Sequence, residues 1–214
     1  MNFFELKVNE FLDKVDSAAP TPGGGSVSAQ TIAFGIGLIR MVAQITITKK
    51  KFQALPDDIK SDYTNRFLKL EGLKQEAITL VDLDSAAFNK ILNAYRMAKT
   101  TDEEIAKRKE KIRLATIEAT NVPLKTAKLA YEALVVAEPM LEHATKTALS
   151  DFGVGTLLLI AGLEGAIMNV KTNLSGFADE EFKTACLKEC SELLSNAKAI
   201  KNRVVTSVLN ELEK

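Results

Sequence analysis

Two prolines, three consecutive glycines and a serine, in the order Pro20-Thr21-Pro22-Gly23-Gly24-Gly25-Ser26, run straight into a stretch that is apolar almost all round. Consecutive glycines lose much chain entropy on folding, so they belong where backbone takes positive φ or where something approaches it closely. The prolines stiffen the approach and bar helix up to Thr21. Ser26 is placed as the N-cap, its hydroxyl meeting the free amides of the first turn. From about Val27 to Lys49 the chain is rich in Ala, Ile and Gly, and Arg40 is its only charge before Lys49-Lys50-Lys51. A Gly-rich turn ahead of a helix start offers open amides and a positive dipole end to an anion. The same residues also suit a tight turn between two closely packed backbones. They form neither a Walker loop nor a Rossmann fingerprint.

Apolar residues recur at a 3.6-residue period along nearly the whole chain, and strand signals are almost absent. The expectation is an all-α, single-domain bundle of six to seven helices across residues 1–214, two of them charge-poor and buried. Phe4, Val8, Phe11 and Val15 mark a short first helix, and the apolar helix after the glycines is the second. Pro56-Asp57-Asp58 opens a third, with a stripe through Ile59, Tyr63, Phe67, Leu70, Leu73, Ala77, Leu80, Asp84, Ala87 or Phe88, and Ile91, ending near Lys99-Thr100. Thr101 or Asp102 caps a fourth, whose face runs through Ile105, Ile112, Thr116, Ala119, Pro123, Ala127, Ala130 and Leu134. Pro123 is expected to bend it, and Glu138-Pro139 to break it. A second charge-poor helix spans Phe152 to about Leu174, and Asp179 caps a last amphipathic helix. The charge-poor part of the second helix, roughly 22 residues, is long enough to cross a bilayer. Arg40 and Gln44 interrupt it, however, and Gly35 and Gly37 suit close helix packing. It is therefore read as buried in a bundle or a subunit interface, not in a membrane.

Lys+Arg and Asp+Glu both number 28, so the chain has no net charge to draw a nucleic acid. Met1-Asn2-Phe3-Phe4-Glu5 lacks the basic start of a signal peptide, and two cysteines, Cys186 and Cys190, fit a reducing cytoplasm. At a four-residue helical spacing these thiols pack rather than pair. His143 is the only histidine, which leaves too few ligands for a zinc site and no Ser-His-Asp or Cys-His arrangement. Any chemistry falls to carboxylates and lysines, helped by amides and backbone dipoles.

Asp84 is the carboxylate that stands out, because it interrupts the apolar stripe of the third helix. A carboxylate in that position must be paired, hydrogen-bonded or protonated. It is either functional or a bridge to a neighbouring helix through Arg40 or Lys125. Asn169 and Asn173 share a face with Gly162 and Gly165, leaving room for a polar ligand or for close helix packing. Asp151 with Ser150 reads as an N-cap. Lys49 and Lys50 are either a solvated helix end or a grip for an anionic ligand.

Several stretches together resemble the cyclodeaminase/cyclohydrolase family: the Pro20–Ser26 run, Met41-Val42-Ala43 with Thr46–Lys50, and Asp82-Leu83-Asp84-Ser85-Ala86-Ala87-Phe88. Ala119-Thr120-Asn121-Val122-Pro123-Leu124, Ser150-Asp151-Phe152-Gly153-Val154, and Gly165-Ala166 through Asn169-Val170 to Asn173-Leu174 continue the match in order. The resemblance implies an all-α homodimer that binds tetrahydrofolate near the Gly-rich turn, with no further cofactor and no metal. It implies one of two reactions: hydrolysis of 5,10-methenyltetrahydrofolate to 10-formyltetrahydrofolate, or cyclisation of 5-formiminotetrahydrofolate to the methenyl compound with loss of ammonia. Asp84 or Asp151 would then be the acid–base group. Pro22, Gly23, Gly24, Gly25, Ser26, Asn169 and Asn173 would orient the folate, and Lys49 and Lys50 would meet its glutamate. Where the family usually reads Gly-Asn-x-Asn, this chain has Ala144-Thr145-Lys146-Thr147. That exchange keeps open a non-catalytic dimeric helical protein that binds a ligand or partner through the same cleft.

Overall fold

The computed structural model describes residues 2–214. A 3-10 turn at Phe3–Glu5 is followed by α1 (Val8–Val15), α2 (Gly24–Ile47), the short α3 (Lys50–Gln53), α4 (Asp57–Tyr95) and α5 (Asp102–Ala137). Further 3-10 turns at Glu138–His143 and Lys146–Ala148 lead into α6 (Leu149–Asn173) and α7 (Glu180–Leu212). No strand occurs among the described residues, as the periodicity requires.

The charge-poor helices α2 and α6 lie antiparallel at the centre. A Cβ at Gly35 would fall 2.8 Å from the Gly155 carbonyl oxygen, and one at Gly155 would fall 2.8 Å from that of Gly35. Only hydrogen on both residues permits that approach. α4 and α5 pack around this pair, and α7 closes the side of α5 and α6. Ile32, Ile36, Ile39, Leu80, Leu134, Phe152, Leu159 and Leu163 are all but fully buried between them. Both central helices are long and apolar enough to cross a membrane, and here each buries about half of its length in the bundle.

Several expectations at element ends are corrected. α2 begins three residues earlier than the Ser26 cap requires: Gly23 is the N-cap, in extended backbone, and no side chain caps the turn. Gly23, Gly24 and Gly25 do not take positive φ, which among the described residues occurs only at Gly176. The triple lysine does not close α2, which ends at Ile47; Lys50 and Lys51 belong to α3. α4 stops at Tyr95, short of Lys99. In the first helix Phe11 is buried but Val8 is 66% exposed, and Phe4 lies in the preceding turn. Other end signals hold. Thr101 and Glu104 form a reciprocal capping box on α5, and the Phe182 amide donates to Asp179 Oδ1 at 3.0 Å.

Gly155→Ala tests the central contact. Its methyl gains about 1 kcal/mol of helix propensity, but wedging it against the Gly35 carbonyl and Ile39 costs about 1–3 kcal/mol. Thermal unfolding should show a lowered Tm, and an unchanged or raised Tm would contradict the packing described.

Candidate active site

Asp84 projects from α4 onto the first turn of α2. A Cβ at Gly25 would lie 2.1 Å from Asp84 Oδ1 and 2.4 Å from its Cγ, so the carboxyl occupies the space a side chain would take. The glycine run thus serves close approach, not an unusual turn. Ser26, one residue on, is fully buried inside the helix. Its Oγ donates to the Val81 carbonyl at 2.8 Å and stands 3.1 Å from Asp84 Oδ2 and 3.0 Å from Ser85 Oγ. One hydroxyl proton cannot serve all three contacts. If Ser26 donates to Val81, a hydrogen bond over the 3.1 Å to Asp84 calls for a proton on the carboxyl; if Asp84 is ionised, Ser26 turns to it. The site therefore accommodates both states of Asp84 with little rearrangement.

Burial pushes the Asp84 carboxyl above the ordinary aspartate range, opposed by hydrogen bonding from the Ser26 side chain and backbone. The cations first considered as its partners are engaged elsewhere. Arg40 bridges Glu71 at 2.7 Å, stacks over the Phe67 ring at 3.9 Å and donates to the Phe67 carbonyl. Lys125 pairs with Glu76 at 2.7 Å. The neighbouring Asp82 accepts from the Phe3 amide at 2.8 Å and ties down the N-terminal turn, so only Asp84 of the acidic pair faces α2.

α6 closes the other side of the glycine turn. Asn169 donates to the Gly165 carbonyl at 2.9 Å, and its Nδ2 would lie 3.1 Å from a Cβ at Gly24. Asn173 has a different task. Its Nδ2 donates at 2.8 Å to the Ala119 carbonyl, the group four residues before Pro123 that the proline, lacking N–H, leaves without a helical partner. Asn173 thereby replaces the missing backbone bond and fixes α5 against α6. Pro22 is buried beneath the turn, whereas Gly24 is exposed.

The remaining candidates lie away from this cluster. Lys49 and Lys50 follow the C-terminal end of α2, which at 1.5 Å per residue is about 36 Å from its start. Lys49 lines a cavity with Thr46, His143, Thr145 and Thr147, and the Thr145 amide donates to Thr46 Oγ1 at 3.0 Å. Thr145 and Thr147 therefore sit beside the lysine end. Asp151 is in the first turn of α6, about 27 Å along that helix from Asn169. Neither it nor Ser150 is the N-cap, because α6 begins at Leu149 with Ala148 in that position and no side-chain cap. No cluster of three His, Cys, Asp or Glu side chains able to hold a metal ion occurs among the described residues. Cys186 and Cys190 are buried and unpaired, and burial with the neighbouring Cys186 pushes the Cys190 thiol up to about 11. Ser85 and the Val81 carbonyl had no distinct signal in the sequence; their role emerges only from the packing of α4 on α2.

Fold and site together define a class: all-α proteins that set one buried carboxyl against a glycine-rich helix start. The sequence profile described as formiminotransferase-cyclodeaminase matches residues 7–192. The methenyltetrahydrofolate cyclohydrolase of Methylorubrum extorquens is 37% identical over 205 residues, 96% of this chain and 97% of that protein. The formimidoyltransferase-cyclodeaminase of Dictyostelium discoideum is 33% identical over 97% of this chain, which spans only 37% of that longer protein. The crystal structure of formiminotetrahydrofolate cyclodeaminase from Thermotoga maritima matches with a TM-score of 0.84 at 26% identity, covering 98% of both chains. The chain belongs to the formiminotransferase-cyclodeaminase family.

Two predictions follow from the geometry. With its folded value raised, Asp84 binds a proton more tightly in the native state than in the unfolded chain. Its contribution to stability is therefore greatest below the ordinary aspartate range and is lost as pH rises through the folded value. Asp84→Asn should raise Tm at neutral pH, with the gain shrinking as pH falls into the ordinary carboxylate range. A gain that grows in acid, or a loss at neutral pH, would contradict this. Asn173→Ala should cost about 1–3 kcal/mol by stranding the Ala119 carbonyl. Adding Pro123→Ala should restore most of it in urea unfolding, because the new backbone N–H can then reach that carbonyl; strict additivity would refute the pairing.

Proposed function

We propose that the protein is a one-carbon folate enzyme that opens 5,10-methenyltetrahydrofolate to 10-formyltetrahydrofolate. The observation that carries this reading is the Asp84 carboxyl, raised by burial and held against the first turn of α2 with Ser26 able to serve either protonation state. The full-length likeness to a methenyltetrahydrofolate cyclohydrolase favours hydrolysis over the alternative ring closure. In hydrolysis, water adds to the methenyl carbon between N5 and N10 and gives up one proton to Asp84. Cleavage of the carbon–N5 bond then takes that proton back to N5, while the adduct's hydroxyl loses its own proton to solvent and becomes the carbonyl of a formyl group on N10, so the cation's positive charge leaves as one proton. The free amides of α2 and the positive end of its dipole face the negative charge of ionised Asp84 and ease that shuttle. Asn169 and the exposed Gly24 backbone are suited to hydrogen-bond the pterin.

Ring closure of 5-formiminotetrahydrofolate is the second reading, supported by the match to the Thermotoga maritima cyclodeaminase over the full chain. There N10 attacks the formimino carbon, its proton passes to the formimino nitrogen, and the same carboxyl delivers the further proton with which ammonia leaves and the methenyl cation forms. Neither reaction, so read, draws on a cofactor beyond the folate itself. The balanced charge and the two buried thiols fit a cytoplasmic protein with no nucleic-acid or membrane partner. The exposed apolar side chains of α2 and α6, Phe34, Met41, Val154 and Leu157, fit a homodimer.

The decisive assay follows the ultraviolet absorbance of methenyltetrahydrofolate, which is lost when the ring opens. Purified protein should accelerate its decay above background, and folded Asp84→Asn should lose about 10²–10⁴-fold in rate. No acceleration with the methenyl compound, but ammonia release from the formimino compound, would move the assignment to ring closure. Folate binding without either turnover would establish the non-catalytic alternative.

A further inference from the structure

Ser85 brings to the site a buried hydroxyl that the proposed reaction does not use. It follows Asp84 on α4 and is 4% exposed. Among the described residues its Oγ makes one hydrogen bond, the 3.0 Å contact with Ser26 Oγ. Ser26 is fully buried, so neither hydroxyl is open to a substrate. The direction of their bond follows from counting protons. Each hydroxyl has one proton to give and can accept twice. Were Ser26 to donate to Ser85, the Ser85 proton would point at no acceptor, which buried donors avoid. Ser85 therefore donates to Ser26.

Ser26 is left with its own proton and one free lone pair, and both have a place to go. The Val81 carbonyl stands at 2.8 Å and Asp84 Oδ2 at 3.1 Å. With Asp84 neutral, the carboxyl donates to that lone pair and Ser26 donates to Val81. With Asp84 ionised, Ser26 swings its proton to the carboxylate. The bond from Ser85 bears unequally on these two states. A hydroxyl that already accepts one hydrogen bond is a stronger donor and a poorer second acceptor. Both effects favour the anion.

We infer that Ser85 is a positioning residue of the proton shuttle: by donating to Ser26 it holds that hydroxyl ready for ionised Asp84, and so sets the pH at which the carboxyl can take a proton from water. The inference rests on the folate reading above. The charges of the surrounding elements leave this control to the hydroxyls. Arg40, the only charge of α2, bridges Glu71, while Glu118 and Lys125 of α5 pair with Lys90 and Glu76. Asp82 accepts from the Phe3 amide, Glu5 of the N-terminal turn is exposed, and α6 brings the neutral Asn169 to the glycine turn. Burial and the bonds from Ser26 are what act on the carboxyl.

The test is a pH profile. Water addition needs ionised Asp84, so kcat for opening methenyltetrahydrofolate should rise with pH through the value of that carboxyl in the complex. Ser85→Ala removes one oxygen and adds nothing to the core. It should move the rising limb up by about half a unit, a rate about threefold lower on the limb, with the same plateau above it and an unchanged KM. The carboxyl ¹³C shift of Asp84, titrated without substrate, should have its midpoint raised in Ser85→Ala. In a Ser26→Ala background, adding Ser85→Ala should move that midpoint no further. A limb and midpoint unmoved or lowered in folded Ser85→Ala, a uniform loss of kcat at every pH, or an equal shift in the Ser26→Ala background would each overturn the inference. Absence of turnover by the wild type is a different result. It removes the folate reading, while the ¹³C titration still decides whether Ser85 acts on Asp84 through Ser26.

Discussion

The approach of α2 to α6 through Gly35 and Gly155 is the contact on which the rest depends. With backbone carbonyls filling the places of side chains, the two apolar helices run side by side for most of their length. That register brings Gly24 against Asn169 at one end and Thr46 against Thr145 at the other. α4 can then lean its acidic turn onto the start of α2, where Gly25 makes room for Asp84. A site at the helix start is thus a consequence of how closely the central pair packs, and a methyl group placed anywhere in that seam would shift it.

At the site, opposed effects settle the state of Asp84. The helix dipole, the Ser26 hydroxyl and the Ser26 amide favour the anion, while burial among apolar neighbours disfavours it more strongly. No cation reverses the balance. Had Arg40 reached Asp84, the carboxyl would have been held ionised and of little use as a proton donor. Its engagement with Glu71 and the Phe67 ring keeps it away. The same reasoning separates Asp84 from Asp82, whose bond to the Phe3 amide gives it a structural task.

Much of this was legible in the residues, and the misses have physical causes. Helices with strong 3.6-residue periodicity or clear caps, such as Thr101 and Asp179, could be placed because their signals are local. Asp84 was conspicuous because a charge in an apolar stripe must be accounted for. Ser26 was misplaced as a cap because a serine after glycines has the composition of a helix start, whereas Gly23 already supplies the extended residue the start needs. The bond from Asn173 to Ala119 was hidden because it joins a proline's vacated carbonyl to a side chain on another helix. Sequence motifs also placed Asp84 and the lysines in one site without showing that they stand at opposite ends of α2, a separation only the folded chain reveals.

In the proposed reaction Asp84 comes first, because chemistry on a folate carbon needs a group that holds and returns a proton. The most direct measurement is the carboxyl ¹³C chemical shift of Asp84 followed through a pH titration of the intact protein. A midpoint above the ordinary aspartate value, moving further when a folate analogue binds, is the predicted result. A midpoint at or below that value, insensitive to the ligand, would show Asp84 to be a structural anchor of the glycine turn and would contradict its role as the proton shuttle.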